Sequence, residues 1–339
     1  MSLPAPVSAR GRGLAIGIIG TGLMGADHAR TIVRDVTGAR LVAIADADLE
    51  RAQDIASTVA GCTTFDDPMA LIASGDVDAV VIASPDATHE AFVLACVASG
   101  KPCLCEKPLA PSVEACLRII EAERAVGRRL VQVGFMRRFD PGYVAMKARL
   151  DAGEIGRALM VHCVHRNEST QPTYTSDMLI TNSAIHEMDT MRWLLGEELT
   201  SVTVHVPAPA ADVPDFRDPL FIVFRTTSGV IVDVEVFVNA GYGYDVRCQI
   251  VGQNGVLDLA PSDVLTRWQR GLRSVDLPND YRIRFADAYR LELQDWVASA
   301  AAGMVRGPDA HDGYMAAAVA RATLESLRSG APVEVRLTA

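Results

Sequence analysis

The chain has 339 residues, 49% apolar and 22% charged, with seven cysteines and a net charge of −10. That length allows two domains with separate cores, and the composition excludes a disordered chain. The acidic balance excludes a nucleic-acid partner, which selects a basic face, and no run approaches the roughly 20 apolar residues of a membrane span.

The opening stretch, Met1 to Gly13, lacks the apolar core of a signal peptide and reads as a flexible lead-in. Leu14 to Ile19 is an apolar strand. Gly20-Thr21-Gly22-Leu23-Met24-Gly25 follows, and a helix runs from Ala26 to Val36. A glycine-rich turn between strand and helix is the setting of a dinucleotide site. Gly20 permits the tight turn, Gly22 lets a pyrophosphate approach, and Gly25 lets helix and strand pack closely. The helix start then offers N–H groups to the phosphates. A second strand, Leu41 to Ala45, ends at Asp46, where such folds place the carboxylate that accepts the ribose hydroxyls. A carboxylate there repels a 2′-phosphate, so NAD is favoured over NADP. Asp48 adds to that repulsion and Arg51 works slightly against it.

Strands and helices then alternate as far as Val133, which means a parallel sheet covered on both faces. Ser84-Pro85, after the strand Ala79 to Ala83, is placed beside the nicotinamide half of the cofactor. His89, starting the next helix, reads as a surface or capping residue. Strand Pro102 to Cys105 ends in Glu106-Lys107-Pro108. Ligands bind beyond the carboxyl ends of such strands, so Lys107 is expected at the mouth of the site. Cys103 and Cys105 are too close for a metal pair, no metal is expected, and the odd, scattered cysteines read as buried thiols of a cytoplasmic protein.

The boundary is placed after Gly134, giving a dinucleotide-binding domain over 1–134 and a second, α+β domain over 135–339 for substrate and oligomer contacts. The second half has a strand Ala158 to His165, running on to Arg166-Asn167, and a helix capped by Asn182 or Ser183 and stopped by Gly196. On it Asn182, His186, Asp189 and Trp193 share a face. His162 and His165 are expected on opposite faces of their strand, with His162 structural. From Ser201 the chain is rich in short strands, a largely antiparallel open sheet. Two helices, Phe285 to Ala302 and Tyr314 to Leu327, close it.

With Glu106-Lys107-Pro108, the Gly20-to-Gly25 loop and His186 in hand, the chain resembles the Gfo/Idh/MocA oxidoreductase family from Leu14 onward. The stretches Met136-Arg137-Arg138 and His165-Arg166-Asn167, with His186-Glu187-Met188-Asp189, point within it to enzymes that oxidise inositols. The resemblance implies a Rossmann domain, NAD as cofactor with Glu106 and Lys107 beside it, and Lys107 and His186 as catalytic groups. It implies substrate contacts from Met136, His165, Asn167, Asn182, Asp189 and a tyrosine, Tyr242 or Tyr244. It also implies a homo-oligomer, dimer or tetramer, whose exposed sheet face, with the alternating Val and Ile of Val230 to Val238, packs against another.

The expected reaction is oxidation of a secondary alcohol of a cyclic polyol, myo-inositol to 2-keto-myo-inositol. His186 takes the hydroxyl proton, with a histidine's ordinary pKa of about 6.5, and Lys107 stabilises the alkoxide. Asn182 stands where the family carries an aspartate four residues before the histidine. An amide can fix a tautomer but cannot stabilise an imidazolium by charge, so either Asp189 supplies that charge, the substrate is another inositol or sugar, or the chain is a weakened NAD-binding sensor.

Overall fold

In the computed structural model, residues 13–210, 216–259 and 265–337 are described. The expected lead-in therefore lies outside the described residues, apart from Gly13. The chain divides into two compact units, Met1–Met136 with Tyr289–Ala317, and Arg137–Ala288 with Ala318–Ala339.

The first unit runs β1 (Leu14–Ile19), α1 (Leu23–Asp35), β2 (Ala39–Ala45), α2 (Leu49–Ser57), β3 (Thr63–Phe65), α3 (Pro68–Ala73), β4 (Ala79–Ile82), α4 (His89–Ala98), β5 (Cys103–Cys105), α5 (Val113–Val126) and β6 (Val131–Val133). Its sheet has the order β3-β2-β1-β4-β5-β6 with every pair parallel. The order reverses between β1 and β4, and a crevice for a ligand opens at such a switch point. β1, β4, β5 and β6 are buried along their whole length, which accounts for their unbroken apolar runs: helices cover both faces. Side-chain oxygens of Asp48, Asp67 and Ser112 cap α2, α3 and α5.

The second unit begins in a 3₁₀ turn, Met136–Phe139, and continues through α6 (Pro141–Asp151), β7 (Ala158–Arg166), α7 (Ser176–Met178), α8 (Ile185–Leu195), β8 (Leu199–His205), β9 (Leu220–Thr226), β10 (Ile231–Phe237), β11 (Asp245–Gly252) and β12 (Val256–Asp258). A hairpin, β13 (Thr266–Gln269) and β14 (Leu272–Val275), and α9 (Tyr281–Arg284) follow; the chain then forms α10 (Ala286–Ala301) and α11 (Ala310–Ser329), of which residues 289–317 fall in the first unit, and ends in β15 (Val333–Glu334). The larger sheet has the order β12-β11-β7-β10-β9-β8-β15. It is antiparallel except at its centre, where β7 and β10 run parallel. One face of β7 packs on helices: Cys163 touches Met191 of α8, and Cys248 of β11 touches Met146 of α6.

Three expectations need correction. Residues 289–317 group with the first unit rather than the second. Leu293, Trp296, Val297 and Ala300 of α10 lie in one buried cluster with Ile16, Ile18, Ile32 and Val81, so burial assigns them where sequence order does not. The β10 alternation does not expose an apolar face. Val232, Val234 and Val236 point inward, while the other face carries Asp233 and Glu235 between Ile231 and Phe237, paired with His162 and Arg166 of β7. Finally, neither Asn182 nor Ser183 is an N-cap. Leu179–Ala184 forms a π-helical turn that runs straight into α8, whose N-cap position is Ala184. The stop is as expected, with Gly196 left-handed at φ 65°.

Candidate active site

In the first unit the turn after β1 lies on the end of β4. Gly20 has φ 89°, and a Cβ there would sit 2.5 Å from the Ser84 nitrogen. A Cβ on Gly25 would sit 1.8 Å from the Gly20 oxygen. Gly22 is the opposite case: nothing lies within 4 Å of its Cβ position. It is the N-cap of α1 and makes no side-chain cap, so the first helix N–H groups stay available to an anion. Closed behind and open in front, this cradle fits a pyrophosphate, with Thr21 buried behind it and Leu23 exposed at the helix start. A Gly25→Ala variant is expected to lose NADH binding by at least about tenfold while β1 and α1 are forced apart, since overpacking of this kind costs roughly 1–3 kcal/mol or more. Fluorescence titration with NADH alongside thermal melting checks it, and an unchanged Kd would exclude close α1–β1 packing as a requirement.

Asp46 stands at the end of β2 with its side chain buried. Oδ2 accepts from Thr21 N at 2.5 Å and Thr21 Oγ1 at 2.7 Å. Oδ1 accepts from Asp48 N at 2.8 Å and Arg51 Nη2 at 2.6 Å. Burial alone would raise its pKa, but the Arg51 guanidinium and the Asp48 and Thr21 donors outweigh it and hold the carboxyl at about 2.

The ends of β4 and β5 are braced together. His89 is buried rather than on the surface, because its Nδ1 meets the Pro108 carbonyl at 2.7 Å and its Nε2 the Ser84 carbonyl at 2.9 Å. The ring thus ties Ser84-Pro85 to the loop that carries Lys107. Ser84 Oγ also bonds Thr88 Oγ1 at 2.6 Å. Glu106 is buried and meets His28 of α1 at 2.7 Å. Burial would raise its pKa, but His28 and Lys107 hold it below the ordinary glutamate value. α1, which carries the phosphate cradle, is therefore linked to the Glu106-Lys107 turn by the His28–Glu106 hydrogen bond. Met136 is buried at the end of this unit.

The second unit gathers its own polar cluster where β7 meets α8. His165 and His186 are both buried, with ring centroids 6.4 Å apart. Arg137 and Glu187, each 1% exposed, form a direct ion pair. Glu187 also lies 3.0 Å from His165 Nδ1. Burial would raise its pKa, yet Arg137 and His165 bring it below the ordinary value. Arg137 Nη2 lies 3.2 Å from the same nitrogen, so a guanidinium and a carboxylate converge on His165 Nδ1 and hold the ring, leaving Nε2 as its other edge. Asn167, two residues on, projects from the same side of the chain as His165. Its Oδ1 is buried with no partner among the described residues, an acceptor placed for a hydroxyl donor. Asp189 receives both Arg138 nitrogens, Nε at 2.9 Å and Nη2 at 2.5 Å. Asn182 lies in the π turn, where Thr181 Oγ1 donates to its Oδ1 at 3.1 Å. His162 is half exposed and pairs with Asp233.

Tyr242 is not placed with this cluster. It is 45% exposed, accepts from Arg166 Nη1 and donates to Asp245, on the side of β7 opposite to His165. Tyr244 is the buried tyrosine, edge-on to His165 at 6.1 Å, and burial pushes its hydroxyl up to about 12. Arg137, Arg138 and Glu187 have no role legible from sequence, although all three stand inside the stretches that resemble the family.

The chain matches two family models: residues 14–135 match the NAD-binding Rossmann fold of an oxidoreductase family, and residues 147–335 match its C-terminal alpha/beta domain. The chain belongs to the Gfo/Idh/MocA oxidoreductase family. Residues 14–135 are the family's NAD-binding domain, and the chain is an NAD-dependent oxidoreductase. Inositol 2-dehydrogenase 2 of Saccharopolyspora erythraea is 54% identical over 323 residues, 94% of this chain and 95% of that protein. Inositol 2-dehydrogenase of Burkholderia ambifaria is 45% identical over 94% of this chain and 95% of its own. Among solved structures, myo-inositol dehydrogenase from Lactobacillus casei, in complex with NAD(H) and myo-inositol, superposes with a TM-score of 0.93 at 34% identity, covering 96% of this chain and 98% of that one.

Proposed function

We propose that this oxidoreductase oxidises a secondary alcohol of a cyclic polyol, myo-inositol to 2-keto-myo-inositol, with NAD. What carries the reading is the polar set of buried His165 and His186 with the buried Oδ1 of Asn167, in a chain whose relatives are named inositol 2-dehydrogenases. Bound NAD supplies the hydride acceptor. Gly20 to Gly25 hold its pyrophosphate, Asp46 its adenosine ribose, and Ser84, Pro85 and Glu106 its nicotinamide side. His186 takes the hydroxyl proton. Lys107 donates to the oxygen and stabilises the developing charge. His165 presents Nε2, and Asn167 its Oδ1, to further hydroxyls. Asp189 and Tyr244 complete the polar lining, Tyr244 rather than Tyr242 being the tyrosine beside His165. A wrong polyol would leave these groups unpaired, and that penalty gives selectivity.

Purified protein with NAD and myo-inositol should form NADH, read at 340 nm, faster than with scyllo-inositol or aldoses. Absence of NADH with every inositol would overturn the polyol reading, and activity confined to an aldose would move it to a sugar dehydrogenase. We further propose a cytoplasmic homo-oligomer, a tetramer, packed through the outer face of the larger sheet, where Met160 and Phe221 are exposed. No helix among the described residues is long and apolar enough to cross a membrane.

A further inference from the structure

The Asp46 carboxylate has about four acceptor sites, and protein donors fill all four: Thr21 N and Oγ1 on one oxygen, Asp48 N and Arg51 Nη2 on the other. A ribose hydroxyl can donate to Asp46 only by displacing one of them. Thr21 N and Asp48 N are backbone groups, and the Thr21 side chain is 2% exposed. Arg51 differs from all three: it sits on the first turn of α2, and its side chain is 47% exposed. Its remaining contacts are weak, 3.4 Å to Thr21 Oγ1 and 3.8 Å to the exposed Asp48 carboxylate. The guanidinium is therefore the replaceable donor, a cation held where the 2′ position of an adenosine ribose must arrive.

We propose that Arg51 is a displaceable counter-ion that doubles as a ligand for a 2′-phosphate, so that the chain binds NADP(H) as well as NAD(H) and Arg51 sets the ratio. With NAD, the ribose hydroxyl takes the Arg51 place on Oδ1 and the guanidinium swings outward. With NADP, the same guanidinium turns its paired N–H groups to the phosphate, a geometry that suits arginine better than lysine. Asp46 and Asp48 still oppose the phosphate, so NAD remains the tighter ligand. The inference rests on Asp46 being the ribose acceptor.

The test is calorimetric titration of the full chain with NADH and with NADPH, on wild type, Arg51→Gln, Arg51→Lys and Asp46→Asn, at low and high salt. Arg51→Gln is expected to weaken NADPH at least tenfold while NADH stays level or tightens, and to flatten the salt dependence of NADPH binding. Arg51→Lys is expected to keep part of the NADPH affinity. Equal weakening of both dinucleotides by Arg51→Gln, or an unchanged NADPH Kd, would overturn the proposal by reducing Arg51 to a brace for Asp46. The Asp46→Asn arm tests the premise separately: an unchanged NADH Kd would show that Asp46 is not the ribose acceptor, whatever Arg51 does.

Discussion

Alanine at His186 is expected to lower kcat with myo-inositol by about 10³-fold, since a positioned acid–base group contributes roughly 10²–10⁴. KM should change little, because the ring acts on the proton that moves in the transition state rather than on ground-state affinity. A Lys107→Met variant should show a comparable loss, and the double variant should lose much less than the product of the two, as expected for groups that act as a unit. Steady-state NADH formation measures all three. A loss below about tenfold for His186→Ala would hand the proton to another group, and the buried His165 is the first candidate. The same assay settles Asn182. Asp189 is engaged by Arg138 through both oxygens, so its charge is already balanced. A carboxylate introduced by Asn182→Asp is then expected to raise kcat several-fold, well short of the roughly 10⁴ that a charged orienter is worth in the serine-protease case. No gain in rate would show that His186 needs no charged orienter here.

The second large effect concerns Arg137. With Glu187 fully buried against it, an Arg137→Met variant leaves a carboxylate without its counter-charge, which costs about 3–5 kcal/mol of stability. Urea unfolding should show it as an earlier transition. The pH dependence has a definite sign. Glu187 has a folded pKa below its ordinary value of 4.5, so its contribution is present above that pH and is lost as pH falls below it. In Arg137→Met the holding charge is gone and burial raises the Glu187 pKa, so the variant should gain stability as pH falls through that raised value, whereas wild type is unchanged there and loses stability only below 4.5. The double variant Arg137→Met/Glu187→Leu should recover most of the stability, since an apolar pair of similar volume is often at least as stable. It should not recover activity, because His165 would lose both groups that hold its Nδ1. Full activity in the double variant would show that the pair is structural only.

The cofactor half of the chain was legible because its signals are local. A glycine spacing, a strand before it, a helix after it and an acid at the next strand end all fall within Leu14 to Asp46; backbone sterics dictate the glycines, and hydrogen bonding to a ribose the acid. What escaped depends on contacts between distant parts of the chain. Nothing near His89 marks it as a brace, because the Pro108 carbonyl it meets is 19 residues on. Arg137 and Arg138 look like solvated charges until α8 brings Glu187 and Asp189 to them. The π turn at Leu179–Ala184 has no periodic signature of its own, and it changes the phase at which Asn182 enters the helix. Tyr242 and Tyr244 differ only in which side of the sheet they reach, and the irregular link before β11 hides that parity. Strand ends also differ by a residue or two, as with β2, expected from Leu41 but beginning at Ala39.

The return of residues 289–317 to the first unit has a consequence for synthesis. Trp296 and Leu293 are fully buried beside strands made some 270 residues earlier. A ribosome that has released the whole glycine loop, Asp46 and Lys107 has still not made a wall of the core beneath them. Until residues 289–317 emerge, that patch stays open to chaperones and proteases. A fragment stopped at Gly134 should therefore be insoluble or molten, and the portable cofactor module is the spliced one, 13–136 joined to 289–317.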